Sequence, residues 1–304
     1  MKKISVIITT YNSEKSIQRL LNSINSQIGL NAIFNIELIV VDDCSTDNTT
    51  QILEFNEVKF ISTNANSGGP NRGRNIGLNL ATGDYICIVD HDDEWNENRL
   101  ILMLPLMEIA PIVTSGYTVL DSNTGKSDLR IHKPINDTEY IFYKENLTFL
   151  SKLSKSNNGQ IAYLGSILFS AELKKIKFEE VYGQLDFDWV LKLFENRTSV
   201  EICKSLYKRH VEGENLSMNE KYRLRDFEFS LSFIKQYAIL YPKETSIAHQ
   251  KLHGSLARYY YVVNNMKKAR QLFLKSGLNL KTILYFLTTF VGAKFVRKNF
   301  NVFG

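Results

Sequence analysis

The sequence predicts an α/β protein: a doubly wound, mostly parallel sheet with flanking helices, followed by a C-terminal α-helical region. Three observations predict it. Apolar runs of strand length alternate with helix-spaced apolar residues through the first part of the chain. Three of those runs end abruptly in polar clusters, which is where open parallel sheets meet their ligands. Beyond Asn219 the spacing becomes helical almost to the end.

The first strand is "ISVIITTY". Two lysines precede it as in a signal peptide, but the apolar stretch Ile4 to Ile8 is too short for one and polar residues follow at once. Ile17, Leu20, Leu21, Ile24 and Ile28 then fall at helical spacing. "IELIVVDD" is a continuous apolar strand, buried on both faces if the sheet is parallel. "VKFIST" gives a third strand, "RGRNIGLNLA" a helix closed by Gly83, and "YICIVD" a fourth strand. Further on, "IVTSGYTVL" and "IAYLGSILF" read as strands, "FDWVLKLFEN" as a helix and "SVEICKSLYKRHV" as a last strand. Turn signals at Tyr241-Pro242, Asn264-Asn265 and Gly277 divide the helical region. A boundary near residues 212 to 220 gives an α/β unit, 1–215, and a helical unit, 216–304.

With 304 residues, 44% hydrophobic and 23% charged, the chain is of ordinary globular composition, for which disorder is not the expectation. Cys44, Cys87 and Cys203 form no CxxC pair, and their odd number argues for a reducing compartment rather than a disulfide framework. No uncharged apolar run reaches the roughly 20 residues of a spanning helix. The net charge of +5 hides an asymmetry: from Lys251 onward there are ten Lys or Arg and no Asp or Glu. The tail is cationic and the body mildly anionic.

The fourth strand runs straight into Asp90, Asp92 and Asp93 in "YICIVDHDDEW". Carboxylates at a strand end cost free energy unless a cation meets them. Asp90 and Asp92 leave an extended segment on the same side and can share one hard cation. Mg²⁺ binds through one or two carboxylates plus substrate phosphates, so the pair asks for a diphosphate; an acidic turn is the plain alternative. After the second strand, Ser45 or Asp47 can cap the next helix, with Thr49 beside them. Capping leaves Asp42 and Asp43 to accept hydrogen bonds from a base or ribose. Gly68, Gly69 and Pro70 make a tight loop before a helix bearing Arg72 and Arg74. The loop fits neither a P-loop nor GxGxxG, and its arginines are either phosphate forks or ordinary surface residues.

Together "SVIITTYNSEKSI", "IVVDDCSTDNT" and "NSGGPNRGRNIGLNLATGDYICIVDHDD" closely resemble family 2 of the inverting glycosyltransferases, over roughly residues 3 to 215. The resemblance implies the GT-A nucleotide-sugar-binding fold. It implies base contacts from Thr9 and Tyr11, an acceptor for the base N–H at Asp43, a base or phosphate contact from Arg74 and a ribose contact from Asp90. It implies Mn²⁺ or Mg²⁺ between Asp92 and the donor diphosphate, with His210 of "LYKRHVEGENLS" completing the metal site. Asp186 of "GQLDFDWVLKL" takes the place of the general base, with Leu185 where a glutamate is usual and Asp188 as the fallback. Gly165 resembles the family's glycine on the acceptor side.

The implied reaction is a metal-dependent single displacement from a nucleotide-diphosphate sugar, a UDP-sugar in the first instance. The implied acceptor is a hydroxyl of a surface polysaccharide or lipid-linked glycan. A nucleotidyltransferase is the alternative of another class, but "TTYNSEKS" lacks the Gly-rich, lysine-bearing loop it would need. Leu185 makes a catalytically inactive nucleotide-sugar-binding subunit the other alternative. Residues 282 to 293, "TILYFLTTFVGA", are uncharged and lie between Lys281 and the cations Lys294, Arg297 and Lys298. Too short to span, they predict peripheral binding to an anionic membrane from the cytoplasmic side. The alternatives are a helix packed on the catalytic unit or a dimer contact. Nucleic acid is not expected, because no reading motif accompanies the scattered cations.

Overall fold

In the computed structural model the described residues are 1–121, 124–133, 138–156, 159–181, 186–211, 219–277 and 279–292. Leu185, the segment 212–218 and the tail with Lys294, Arg297 and Lys298 lie outside them.

The chain opens with β1 (Lys2–Thr10), α1 (Ile17–Asn25), β2 (Phe34–Asp42), α2 (Thr49–Phe55), β3 (Phe60–Ser62), α3 (Asn71–Leu80) and β4 (Tyr85–Asp90). β1 is central, pairing in parallel with β2 on one side and β4 on the other, and β3 lies parallel outside β2. Both faces of β1 are covered, as its unbroken apolar run requires. Ile4, Val6 and Ile8 join Ile17, Leu20, Leu21 and Ile24 of α1 in one core. On the opposite face α3 lies against β1 through two glycines. A Cβ on Gly77 would stand 2.4 Å from Ile7 Cγ2, and one on Gly73 2.8 Å from Thr9 Cγ2.

Three of the expected boundaries that move bear on the packing. α1 ends at Asn25 and leaves Ile28 exposed. α3 stops at Ala81, not Gly83. Gly83 is instead needed for close approach to β1: a Cβ there would sit 2.7 Å from Lys3 O and Ser5 N, while its own N–H donates to Ser5 Oγ at 2.9 Å. The third change concerns "IAYLGSILF", which is taken up below.

The sheet continues through β5 (Glu94–Trp95), with α4 (Arg99–Met103) after it, then β6 (Ile112–Asp121), β7 (Ser127–Arg130) and β8 (Tyr140–Tyr143). After α5 (Leu147–Leu153) come β9 (Ile167–Ser170), α6 (Phe187–Phe194) and β10 (Ser199–Val211). Among the described residues the order is β3-β2-β1-β4-β9-β6-β10-β5, with β7 on β6 and β8 on β10. β9 is antiparallel to both neighbours, so the sheet is parallel in its first half and mixed in its second. "IAYLGSILF" is therefore not one strand. A 3₁₀ turn at Leu164–Ser166 precedes a short β9, because Arg99 Nη2 donates to Gly165 O at 3.0 Å and holds the turn.

By internal contacts the chain divides into two units, Met1–Phe149 with Gly159–Gly213, and Leu150–Asn158 with Glu214–Gly304. The second contains α7 (Glu220–Lys235), α8 (Pro242–Val262), α9 (Met266–Phe273) and α10 (Leu280–Thr288). Asn219, Asn265 and Asn279 cap α7, α9 and α10, each accepting from the N–H three residues on. Leu256, Ala257, Tyr260, Ala269 and Phe273 form its core. Among the described residues no helix is long and apolar enough to cross a membrane.

Candidate active site

Parallel pairing brings the carboxyl ends of β1, β2 and β4 together, and in register Thr9 stands between Val41 and Asp90 while Thr10 faces Asp42. The loops that leave them are laced by side chains. Ser13 N donates to Thr49 Oγ1 at 2.7 Å, Glu14 N to Asp47 Oδ2 at 3.0 Å, and Thr46 N to Asn12 Oδ1 at 2.8 Å. Asp47 also accepts from Thr49 N at 3.0 Å, at the head of α2. Burial works to raise the Asp47 carboxyl, but hydrogen bonds from Thr49 and Glu14 prevail and hold it below the usual range.

The two aspartates of "DD" have different work. Asp42 is a brace: Oδ1 accepts from Thr10 Oγ1 at 2.9 Å and from Ser45 Oγ at 2.5 Å, and Oδ2 from Ser45 N at 3.0 Å. Ser45 is thereby committed to this turn and not to capping α2. Asp43 Oδ2 accepts from Ser67 N at 2.8 Å and Ser67 Oγ at 2.9 Å, and Oδ1 from Thr63 Oγ1 at 2.8 Å. A carboxylate offers about four lone-pair sites, so Asp43 keeps one for an incoming N–H. Tyr11 is exposed beside this loop pair, whereas Thr9 is buried with its methyl against Gly73.

Beyond β4 the three carboxylates separate in role. Arg74 Nη2 lies 2.8 Å from Asp90 Oδ1 and Arg72 is exposed, so only one of the two arginines turns inward. Asp92 is half-buried, and burial followed by the like charge of Asp90 raises its carboxyl above the usual range. Arg19 Nη2 donates to Asp92 O at 2.5 Å and His91 Nδ1 lies 3.1 Å from Ser16 Oγ, which fixes the turn. Asp93, fully buried, is structural. It accepts from Tyr207 Oη and, at 3.0 Å, from His210 N, and burial together with Asp90 and Asp92 pushes its carboxyl well up.

His210 thus reaches this turn through its backbone. Its ring Nε2 lies 3.3 Å from Glu94 Oε2, and Glu94 Oε1 accepts from Lys208 Nζ at 2.5 Å. Among the described residues no group of three or more His, Cys, Asp or Glu side chains is placed to hold a metal ion. Asp90 and Asp92 nonetheless supply the donor chemistry a hard cation takes. Two like charges at close quarters, one resisting ionisation, fit a hard cation such as Mg²⁺ or Mn²⁺ whose shell substrate phosphates and water would complete.

Asp186 stands at the N-cap of α6, half-buried. Burial raises its carboxyl; Arg74 opposes the rise and Asp90 adds to it, so the three groups share one electrostatic neighbourhood. The segment ahead of it is pinned by α3. Asn75 Oδ1 accepts from Phe178 N at 2.9 Å and its Nδ2 donates to Phe178 O at 3.0 Å, while Asn71 Nδ2 donates to Glu179 O at 2.8 Å. The Phe178 ring is sandwiched between the Arg74 guanidinium, 5.3 Å away, and the parallel Trp189 indole, 4.6 Å away. Asp188 points into the core, where its Oδ2 accepts from Lys192 Nζ at 2.9 Å.

The structure therefore gathers Arg74, Asp90 and Asp186, sets Asp43 and Tyr11 at the adjoining strand ends, and turns the His210 ring to Glu94. Gly165 is a packing residue: a Cβ on it would fall 2.0 Å from Tyr207 Oη. Sequence reasoning named Asp93 without giving it a role, and it missed Asn75, Tyr207 and Arg209. Arg209 alternates with Lys208 and His210 on β10 and stacks over Tyr163 at 5.4 Å, close enough to feel Asp93 and Asp90. The signal was present in the period-two pattern of "LYKRHV", in which Tyr207 and Arg209 share one face.

The family model described as Glycosyl transferase family 2 matches residues 5–172. The chain is 32% identical over 225 residues to the putative teichuronic acid biosynthesis glycosyltransferase TuaG of Bacillus subtilis, covering 71% of this chain and 82% of that protein. It is 26% identical over 267 residues to the UDP-Glc:alpha-D-GlcNAc-diphosphoundecaprenol beta-1,3-glucosyltransferase WfgD of Escherichia coli, 86% of this chain and 91% of that one. Against the poly(ribitol-phosphate) beta-N-acetylglucosaminyltransferase TarS of Staphylococcus aureus it is 46% identical over 104 residues, 33% of this chain and 18% of TarS. The crystal structure of a TarS fragment in complex with UDP-GlcNAc superposes with a TM-score of 0.59 at 21% identity, over 99% of this chain and 94% of that one. That likeness carries the fold.

Proposed function

Because the chain belongs to glycosyl transferase family 2, we propose that it is an inverting glycosyltransferase. It would move a sugar from a nucleotide-diphosphate sugar, a UDP-sugar first, to a hydroxyl of a surface polysaccharide or lipid-linked glycan. The observation that carries this reading is the grouping of Arg74 and Asp90, paired at 2.8 Å, with a half-buried Asp186 whose basicity burial has raised. The activities for which WfgD and TarS are named, and the UDP-GlcNAc complex of TarS, are of the same kind.

In this reading Asp43 and Tyr11 meet the base, Thr9 lines the floor beneath it, and Asp90 meets the ribose. Arg74 supplies positive charge beside the diphosphate. Mn²⁺ or Mg²⁺ held by Asp92, with His210 as the further ligand if its ring leaves Glu94, would neutralise charge on the departing diphosphate. Asp186 takes the proton of the acceptor hydroxyl as that oxygen bonds to the anomeric carbon. The bond from that carbon to the diphosphate oxygen breaks, its electron pair leaves with the nucleotide, and the anomeric centre inverts. The enzyme would work in the cytoplasm at the inner face of the cell membrane, held to anionic lipid by its cationic C-terminal region.

A panel of UDP- and GDP-sugars with Mn²⁺ tests the reading. Wild-type protein is expected to release nucleotide in the presence of acceptor. Asp186→Asn should keep nucleotide binding and lose turnover by about 10²–10⁴-fold. Asp92→Ala, or chelation of the metal, should weaken nucleotide binding measured by calorimetry. Binding without turnover in the wild type would leave only a nucleotide-sugar-binding subunit.

A further inference from the structure

α10 sits in the second unit on one face only. Thr282 and Thr289 are buried, Tyr285 packs edge-on to Tyr261 at 5.1 Å, and Phe286 joins the same core. The other side of the helix is apolar and open to solvent. Leu280, Ile283, Leu284 and Leu287 are 75%, 42%, 41% and 57% exposed, and Phe290 and Val291 in the following turn are 67% and 56% exposed. Positions i, i+3, i+4 and i+7 form one stripe, so these side chains are contiguous on the helix. A stripe of this size left in water is the mark of a surface that meets something apolar.

Cations border it. Lys281 is exposed within the helix. Arg270 of α9 lies 4.9 Å over the Phe290 ring and donates from Nη1 to Thr289 O at 3.1 Å, which holds a guanidinium at the edge of the stripe. From Lys251 onward the sequence has ten basic and no acidic residues, so nothing in this region repels an anionic partner.

We infer that the Leu280–Val291 face is the surface by which this protein seats on an anionic lipid bilayer. The leucines and Phe290 would enter the interfacial layer while Arg270 and Lys281 stay at headgroup level. The inference rests on the membrane reading given above and names the side chains that carry it. An amphipathic helix lying in the interface needs only an apolar face and a cationic border, not the length to span. A second copy of the chain is the competing occupant, but the cationic surround would repel its own image.

The test uses the full chain and sedimentation with vesicles of phosphatidylglycerol and phosphatidylcholine, or of phosphatidylcholine alone. Wild type is expected to bind the mixed vesicles and not the neutral ones. The double variant Leu284→Asp, Leu287→Asp changes only exposed positions, so its melting temperature and its UDP release with a water-soluble acceptor should be unchanged. Its partition should fall by at least roughly a hundredfold, since burial of each leucine is worth about a factor of ten. Wild type that binds neither vesicle would overturn both the membrane reading and this inference. Wild type that binds while the double variant binds equally would overturn this inference alone. A concentration-dependent dimer that the same variant dissociates, with vesicle binding intact, would assign the face to a second copy and overturn it as well.

Discussion

Arg74 joins two parts of the candidate site: its Nη2 lies 2.8 Å from Asp90 Oδ1 while its Nη1 donates to Asn71 Oδ1 at 3.0 Å. Asn71 in turn holds Glu179 O, in the segment that leads to Asp186. A planar fork is needed to make both bonds at once, and an ammonium is not one. Arg74→Lys is therefore expected to raise KM for the nucleotide sugar by about tenfold or more, the worth of one charge-assisted hydrogen bond. Arg74→Ala should also lower stability by roughly 1.5–3 kcal/mol, because it strands Asp90 beside two other carboxylates. Steady-state kinetics and urea unfolding check the two parts. A lysine variant with wild-type KM would remove Arg74 from donor binding.

Activity should fall in acid earlier than an ordinary aspartate would dictate. As the proposed base Asp186 would work only when ionised, and burial raises its carboxyl above the usual range. Its ionised fraction, and with it kcat/KM, is complete above that raised value and is lost as pH falls through it. The acid limb of the pH profile should accordingly lie above the ordinary aspartate value of about 3.9. Because Arg74 opposes that rise, Arg74→Ala should move the limb higher still. A profile flat down to the ordinary range would place the proton acceptor elsewhere.

The parts of the fold visible in the sequence are those whose signal is local. β1, β2 and β4 are apolar runs, and β10, mixed in composition, spans the same residues as its reading, Ser199–Val211. β5 has two residues, Glu94 and Trp95, and exists only by pairing with Tyr207 and Lys208 on β10. No periodicity marks so short a strand. The same holds for the site. Asp90, Asp92 and Asp186 stand out as carboxylates at element ends, but the two-sided bond between Asn75 and Phe178 spans 103 residues of sequence. An asparagine in a helix carries no mark of a partner so far away. Asp93 is set apart from Asp90 and Asp92 by Tyr207 and the His210 N–H, which are 114 and 117 residues on.

Gly165→Ala is expected to act on the carboxylate turn from a distance. The new methyl would fall 2.0 Å from Tyr207 Oη, and that hydroxyl donates to buried Asp93. The Tyr207 ring must shift, which leaves Asp93 with His210 N alone. Overpacking and an unsatisfied carboxylate each cost about 1–3 kcal/mol. The melting temperature of the full chain should drop, and Tyr207→Phe in the same background should add little, since the bond is already broken. Additive losses in the double variant would show that Tyr207 keeps its partner.

Asn75→Ala should separate the two halves of the reaction. Asn75 holds Phe178 through both its N–H and its carbonyl, and its Nδ2 also donates to Glu180 Oε1 at 2.7 Å. Phe178 stacks on Trp189 of α6, three residues beyond Asp186, so Asn75 braces the start of the helix that carries the base. Arg74 and Asp90 pair without help from Asn75. The alanine variant therefore leaves donor binding in place and loosens Asp186. A misplacement of about 1 Å at a reacting group is worth up to about 10²-fold in rate. kcat should fall by that order, KM for the nucleotide sugar should stay within about twofold, and stability should drop by roughly 1–3 kcal/mol for the unsatisfied backbone groups of Phe178. Asn75→Asp keeps the acceptor for Phe178 N but sets a charge against Glu180, so it should rescue neither rate nor stability. A rise in KM with kcat unchanged would mean that α3 serves the nucleotide alone and that Asp186 is held from elsewhere.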